Sequence, residues 1–130
     1  MVVLGIDPGR EKCGLAVVAE DQVLVKEVVP RRELLPVVRK YTAAYNVDTM
    51  VVGDGTGSRE FVAEIKGHLP ELPVVVVDER HSTEEARARY WLDHRPKGWR
   101  RLLPTTMQVP PEPYDDYVAV ILAQRFLGGR

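Results

Sequence analysis

Runs of β-branched residues alternate along the chain with stretches of helical spacing, and prolines, glycines or polar turns mark each change of period. Residues 2–7 read as a buried strand that ends in a carboxylate, Asp7, followed at once by Pro8 and Gly9. Residues 14–19 read as a second strand and 23–29 as a third, with Lys26 and Glu27 inside it. The links are short, one of them the polar turn Glu20, Asp21 and Gln22, so these strands are expected to form an antiparallel meander. Pro30 then breaks the strand. Leu34, Leu35, Val37, Val38, Tyr41, Ala44 and Tyr45 recur at helical spacing, with Pro36 early enough to be tolerated.

Residues 49–52 predict a short fourth strand, running into the polar loop Gly53, Asp54, Gly55, Thr56, Gly57 and Ser58. Ser58 is placed to cap a helix running to about residue 69. The four valines 74–77 predict a fifth strand, buried on both faces because it is apolar at every position. Asp78, Glu79 and Arg80 follow it. Ser82 with Glu85 has the spacing of a capping box, which predicts a helix from residue 83 to about 92. Residues 94–113 have little periodicity and many prolines and read as a long loop. Residues 114–127 predict the last helix, stopped by Gly128 and Gly129. The expected fold is therefore α/β: a mixed five-stranded sheet, three antiparallel strands then parallel ones, flanked by helices. Strands joined through helices should be parallel, with right-handed crossovers.

Composition narrows the class without naming a function. The 130 residues suit one domain, 1–130, with one real core. A formal net charge of −1 gives no bulk attraction to nucleic acid. The single cysteine, Cys13, excludes an internal disulfide and argues against a cysteine zinc site, so a cytoplasmic setting is expected. No signal-peptide pattern opens the chain. No apolar run approaches the ~20 residues of a membrane span, so no membrane partner is expected.

The candidate chemistry lies in three carboxylates. Asp7 ends the first strand, Glu79 follows the fifth, and Asp115 opens the last helix. Stepping ~100° per residue puts Asp115 on the side of Val118, Ala119, Leu122 and Phe126, with Asp116 on the flank. A carboxylate at the core end of a strand calls for a partner: a metal ion, a phosphate or a buried cation. Were the three to converge, they would make an oxygen-rich pocket for Mg²⁺ or Mn²⁺. Two such ions ~3.5–4 Å apart can activate water and stabilise the leaving oxygen of a phosphodiester. Taken singly, each residue has a plainer reading. Asp7 suits a turn, Asp115 suits a helix N-terminus, and Glu79 could pair with Arg80.

Seven basic and three acidic residues lie between Arg80 and Arg101, with Tyr90, Trp91 and Trp99 among them. Arg80, Arg87, Arg95, Lys97, Arg100 and Arg101 are candidate phosphate contacts, as is Lys12 just after Asp7. A solvated helix face with Trp91 in the core is the alternative for part of this stretch.

Three blocks carry a family resemblance. They are Gly5-Ile6-Asp7-Pro8-Gly9 with Lys12, Gly14 and Ala16; Val77-Asp78-Glu79-Arg80 with Ser82, Thr83 and Ala86; and Asp115 with Ala119 to Leu122 and Gln124. In these the chain resembles the YqgF-type family, described as Holliday-junction resolvases and as nucleases that mature pre-16S ribosomal RNA. The resemblance implies a ribonuclease H-like fold. It implies that Asp7, Glu79 and Asp115 are the metal-binding catalytic acids, with Asp116 as the alternate to Asp115, and that the substrate is an rRNA precursor or branched DNA. The loop at 53–58 is shorter than the family's, and the link at 95–113 is unlike its short basic one. A resolvase making two symmetric cuts would act as a homodimer, whereas an RNA nuclease can act as a monomer. Two other classes stay open: a non-catalytic ribonuclease H-like module that binds nucleic acid or protein, and an ATP-binding domain, since Asp-x-Gly before a hairpin also suits a phosphate loop.

Overall fold

The computed structural model describes residues 1–20, 22–55, 57–80, 82–94 and 114–128. Of the long loop expected at 94–113, only His94 is among them, so Trp99, Arg95, Lys97, Arg100 and Arg101 lie outside the described residues, as does His81. Five strands form one sheet: β1 (Val2–Asp7), β2 (Lys12–Ala19), β3 (Gln22–Pro30), β4 (Thr49–Gly53) and β5 (Val74–Val77). Their order across the sheet is β3-β2-β1-β4-β5. β1, β2 and β3 pair antiparallel, while β4 and β5 run parallel to β1, as expected of strands joined through helices. The helices are α1 (Leu34–Tyr45), α2 (Ser58–His68), α3 (Ser82–Asp93) and α4 (Asp115–Leu127).

The sheet has a core on each face. Leu4, Ile6, Leu15, Met50 and Val52 pack with Leu34 and Val38 of α1 and Phe61 and Ile65 of α2. On the opposite face Val3, Ala16, Val18 and Val51 pack with α3 and α4, including Tyr90, Trp91 and the apolar run Val118 to Ala123. Alternate residues of β1 thus serve the two cores, as the period of a strand requires. Trp91 is core, in keeping with the plainer reading. Burial of one large apolar side chain is worth roughly 1.5–3 kcal/mol, so both layers hold the sheet.

The structure corrects three local expectations. β5 is not buried on both faces: it is the sheet edge, and Val76 is 51% exposed. Ser58 does not cap α2. It is the first helical residue, and Gly57 holds the N-cap position at φ 81°, a left-handed conformation that glycine adopts at little cost. Ser82 likewise begins α3, and its hydroxyl donates to the carbonyl of Glu79 at 2.6 Å instead of capping forward.

Two glycines let α4 lie almost on the sheet backbone. A β-carbon on Gly5 would stand 2.4 Å from the carbonyl oxygen of Ala119, and one on Gly14 only 1.9 Å from that of Asp115. The second approach brings the first turn of α4 to the strand position paired with Asp7. Among the described residues no helix is long and apolar enough to cross a membrane.

Candidate active site

The carboxyl ends of the parallel strands β1, β4 and β5 lie side by side on one edge of the sheet. In open α/β sheets this edge is where ligands bind, because loops and helix starts converge there. Asp7 ends β1 on this edge. The turn that follows is pinned by the buried Cys13, whose sulfur receives the N–H of Gly9 at 3.4 Å. Glu79 lies two residues beyond β5. Its N–H donates to Asp54 Oδ1 at 3.1 Å, and the N–H of Asp54 donates to the carbonyl of Val77 at 3.0 Å. The loop after β4 thereby holds the segment after β5.

The side chain of Glu79 lies over that loop. A β-carbon on Gly53 would stand 2.1 Å from Glu79 Oε1, and one on Gly55 2.4 Å from Oε2. The glycines in this loop leave room for a carboxylate. The sequence shows the loop as polar but not this role, since nothing in the order Gly53-Asp54-Gly55 says which distant side chain fills the space.

Asp7 and Glu79 meet. Burial, then the hydrogen bond to Glu79, then the charges of Glu79 and Asp115 push the Asp7 carboxyl up to about 9. Two touching carboxyl groups can share a hydrogen bond only while one keeps a proton. Among the described residues Glu79 Oε1 is buried with no hydrogen-bond partner, a costly condition for a carboxylate oxygen. Asp115, the first residue of α4, is also raised, chiefly by burial and less by Asp116, and nearby Lys12 opposes the shift. The three predicted acids are thus neighbours. Among the described residues, no three carboxylate, imidazole or thiol groups close round one point as a metal-ligand set would.

Asp116 lies elsewhere. Its Oδ2 pairs with Lys26 of β3 at 3.5 Å and its Oδ1 accepts the N–H of Tyr117 at 3.0 Å. The suggested Glu79–Arg80 pair does not form: Arg80 pairs with Asp78 at 3.6 Å. Of the predicted phosphate contacts, Lys12 and Arg80 are exposed near the acids. Arg87 is half-buried and donates to the Tyr114 hydroxyl at 2.8 Å, tying α3 to the start of α4. It is a packing residue here rather than a free cation. Arg89 is engaged by Glu85 and Gln124.

The chain is also similar to known proteins. A family model described as RuvX, Holliday junction resolvase, matches residues 1–128. The chain is similar to a protein of Bacteroides fragilis named "Putative pre-16S rRNA nuclease", 29% identical over 94 residues that cover 62% of this chain and 68% of that one. A protein of the same name from Bacteroides thetaiotaomicron is 31% identical over 94 residues, with the same coverage. Among solved structures, the chain is similar to T. thermophilus RuvC in complex with Holliday junction substrate. That likeness has a TM-score of 0.62 at 19% identity and covers 95% of this chain and 91% of that one. A Thermus thermophilus RuvC structure matches with a TM-score of 0.60 at 20% identity over the same coverage. At such identity the structural likeness shows the fold, a RuvC-like, ribonuclease H-like sheet.

Proposed function

The chain belongs to the RuvX Holliday junction resolvase family, and from that premise we propose that it is a divalent-metal-dependent nuclease hydrolysing phosphodiester bonds in structured nucleic acid. The observation that carries the reading is the meeting of Asp7 and Glu79, with Asp115 beside them, on the carboxyl edge of the sheet. These acids come from three separate elements. Such an arrangement is costly for stability, because burial and neighbouring acids make each ionisation harder and, among the described residues, Glu79 Oε1 is left unbonded. A hard cation relieves both costs, and an all-oxygen donor set suits Mg²⁺ or Mn²⁺.

Asp7, Glu79 and Asp115 would hold the metal. Bound there, it supplies an activated water and charge neutralisation at the phosphodiester, which is most of what phosphoryl transfer needs. The chain's own residues do the rest. Asp7 gives up its proton when the site loads. Asp54, through the Glu79 N–H, and the glycines 53 and 55 hold Glu79 in place. Lys12, exposed beside Asp115, offers a cation to the substrate backbone. The substrate is an rRNA precursor end or branched DNA, the two named among the relatives.

The test is metal-dependent cleavage of labelled panels containing a four-way DNA junction and a precursor rRNA end, with Asp7→Asn as control. Cutting that needs Mg²⁺ or Mn²⁺ and is lost in the variant supports the reading, and the preferred substrate separates resolvase from RNA processing. One observation favours a second reading. The carboxylates do not close round one point as they stand, which also suits a non-catalytic ribonuclease H-like binding module. Folded protein that binds nucleic acid and never cuts would decide for it.

A further inference from the structure

A groove of about 630 Å³ lies between α2 and the edge strand β5. Asp54, Ser58, Arg59 and Lys66 supply its polar lining, and Val62, Ala63 and Val76 its apolar lining. One end is the candidate active site, since Asp54 accepts the N–H of Glu79. Arg59 and Lys66 are seven residues apart in α2, which puts them on one face of the helix and ~10 Å apart along it.

These two cations differ from most others among the described residues. Arg31 is held by Glu64, Arg80 by Asp78, and Arg89 and Arg125 by Glu85. Arg39 is bonded to His68. Arg59 and Lys66 are exposed and make no hydrogen bond or ion pair among the described residues. Among the described residues no acid is ion-paired with either: Glu64 is taken by Arg31, and Asp54, the one carboxylate among the groove's described lining residues, accepts the Glu79 N–H. The start of α2, with glycine at the N-cap and no side-chain cap, adds partial positive charge at the same end. Among the described residues no aromatic lines the groove, so none of them can stack on a base there. Free cations over an apolar floor, open to a phosphodiester-cutting site, match the backbone of a nucleic-acid strand and not its sequence.

We propose that this groove carries one strand of the nucleic-acid substrate away from the carboxylates, with Arg59 and Lys66 each on a backbone phosphate. The inference rests on the nuclease reading for what lies at the groove's mouth, so its test reads binding and not cutting.

The probe is labelled oligouridine and oligothymidine, titrated by fluorescence anisotropy with the Asp7→Asn protein across a salt series. Each phosphate contact to a single strand contributes about 0.7 to the slope of log K against log salt. Adding Arg59→Ala and Lys66→Ala is expected to reduce that slope by about 1.4 and to weaken binding ~10-fold or more at low salt. Arg32→Ala with Lys40→Ala removes the same charge from exposed positions off the groove and is expected to leave the slope unchanged. All four positions are exposed, and a thermal melt confirms that each variant is folded. An unchanged slope in the groove variant, an equal loss in both variants, or no binding by the Asp7→Asn protein overturns the proposal. A slope that falls only in the groove variant supports it, even if the wild type cuts nothing, in which case the nuclease reading fails alone. Cutting by the wild type with an unaltered groove slope sinks the groove and leaves the nuclease.

Discussion

Lys26 Nζ on β3 stands 3.5 Å from Asp116 Oδ2 and 4.4 Å from the centre of the Tyr117 ring. The same turn of α4 is held from α3, where Arg87 donates to the Tyr114 hydroxyl and Asp93 accepts the Tyr117 hydroxyl at 2.7 Å. Residues 114, 116 and 117 are therefore committed to neighbouring elements. Asp115, between them, has no such anchor and is left beside Lys12 and Asp7. A helix start with no side-chain cap of its own is fixed by its neighbours, and the one carboxylate they do not use is the one at the candidate site.

This division predicts opposite outcomes for two adjacent aspartates. If the chain is the proposed nuclease, Asp115→Asn should remove a proposed metal ligand and lower the cleavage rate by several kcal/mol of barrier, on the order of 10²–10³-fold. Asp116→Asn should lose only a partly exposed ion pair, worth about 0–1 kcal/mol, and keep most of the activity. Single-turnover cleavage and urea denaturation on both variants check this. Equal activity loss in the two would place the third ligand wrongly.

The glycines make a second contrast. At Gly53 the atom that blocks a β-carbon is the far end of a flexible side chain, Glu79 Oε1 at 2.1 Å. At Gly5 and Gly14 it is backbone of α4, at 2.4 and 1.9 Å. Gly53→Ala should therefore push Glu79 aside and abolish cutting while costing less than ~1 kcal/mol of stability. Gly5→Ala and Gly14→Ala should separate helix from sheet and cost about 3 kcal/mol or more. Melting temperatures alongside cleavage rates would distinguish the two patterns.

Element type and order were legible in the sequence because β-branched runs and helical spacing are local signals, and among the described residues the five strands and four α-helices stand in the expected order. What was not legible depends on distant neighbours. Four valines in a row do not say whether another strand lies beyond β5; among the described residues none does, and Val76 is half exposed. The helical wheel put Asp115 toward the core and Asp116 on the flank. Asp116 is the more buried because Lys26 reaches it from β3. The basic excess after Arg80 suggested phosphate contacts, but Arg87 and Arg89 are engaged by Tyr114, Glu85 and Gln124. The capping serines failed for a local reason, a glycine at the N-cap of α2 and a carbonyl within reach of Ser82.

Asp7 gives the metal-free protein a pH-dependent cost. Its carboxyl is raised from the ordinary 3.8 to about 9, first by burial and then by Glu79. Below 3.8 both folded and unfolded chains hold the proton, and the group costs nothing. As pH rises from there toward 9 the unfolded chain releases a proton the folded one retains, so stability falls. Asp7→Asn removes that dependence. In EDTA the variant should match the wild type near pH 3.8 and exceed it by a few kcal/mol, at most about 4, at neutral pH. Urea midpoints across the pH range measure the difference. A variant that is less stable throughout would mean that Asp7 stabilises the fold it was expected to strain.

If the carboxylates are a metal site, the metal should restore what their proximity costs. Among the described residues Glu79 Oε1 is buried and unbonded, and burial with the neighbouring acids raises the Asp7 carboxyl to about 9. Mg²⁺ or Mn²⁺ binds the folded chain and not the unfolded one, so it should stabilise by about 2.7 kcal/mol at a hundredfold excess over its dissociation constant. The gain should grow from acid to neutral pH, since loading displaces the Asp7 proton. It should vanish in Asp7→Asn and shrink in Glu79→Gln, while Asp116→Asn keeps it. Thermal melts in EDTA and in each metal read this without reference to any substrate. A wild-type melting temperature unmoved by either ion at neutral pH would leave the meeting of Asp7 and Glu79 without its cation and the nuclease reading without its chemistry.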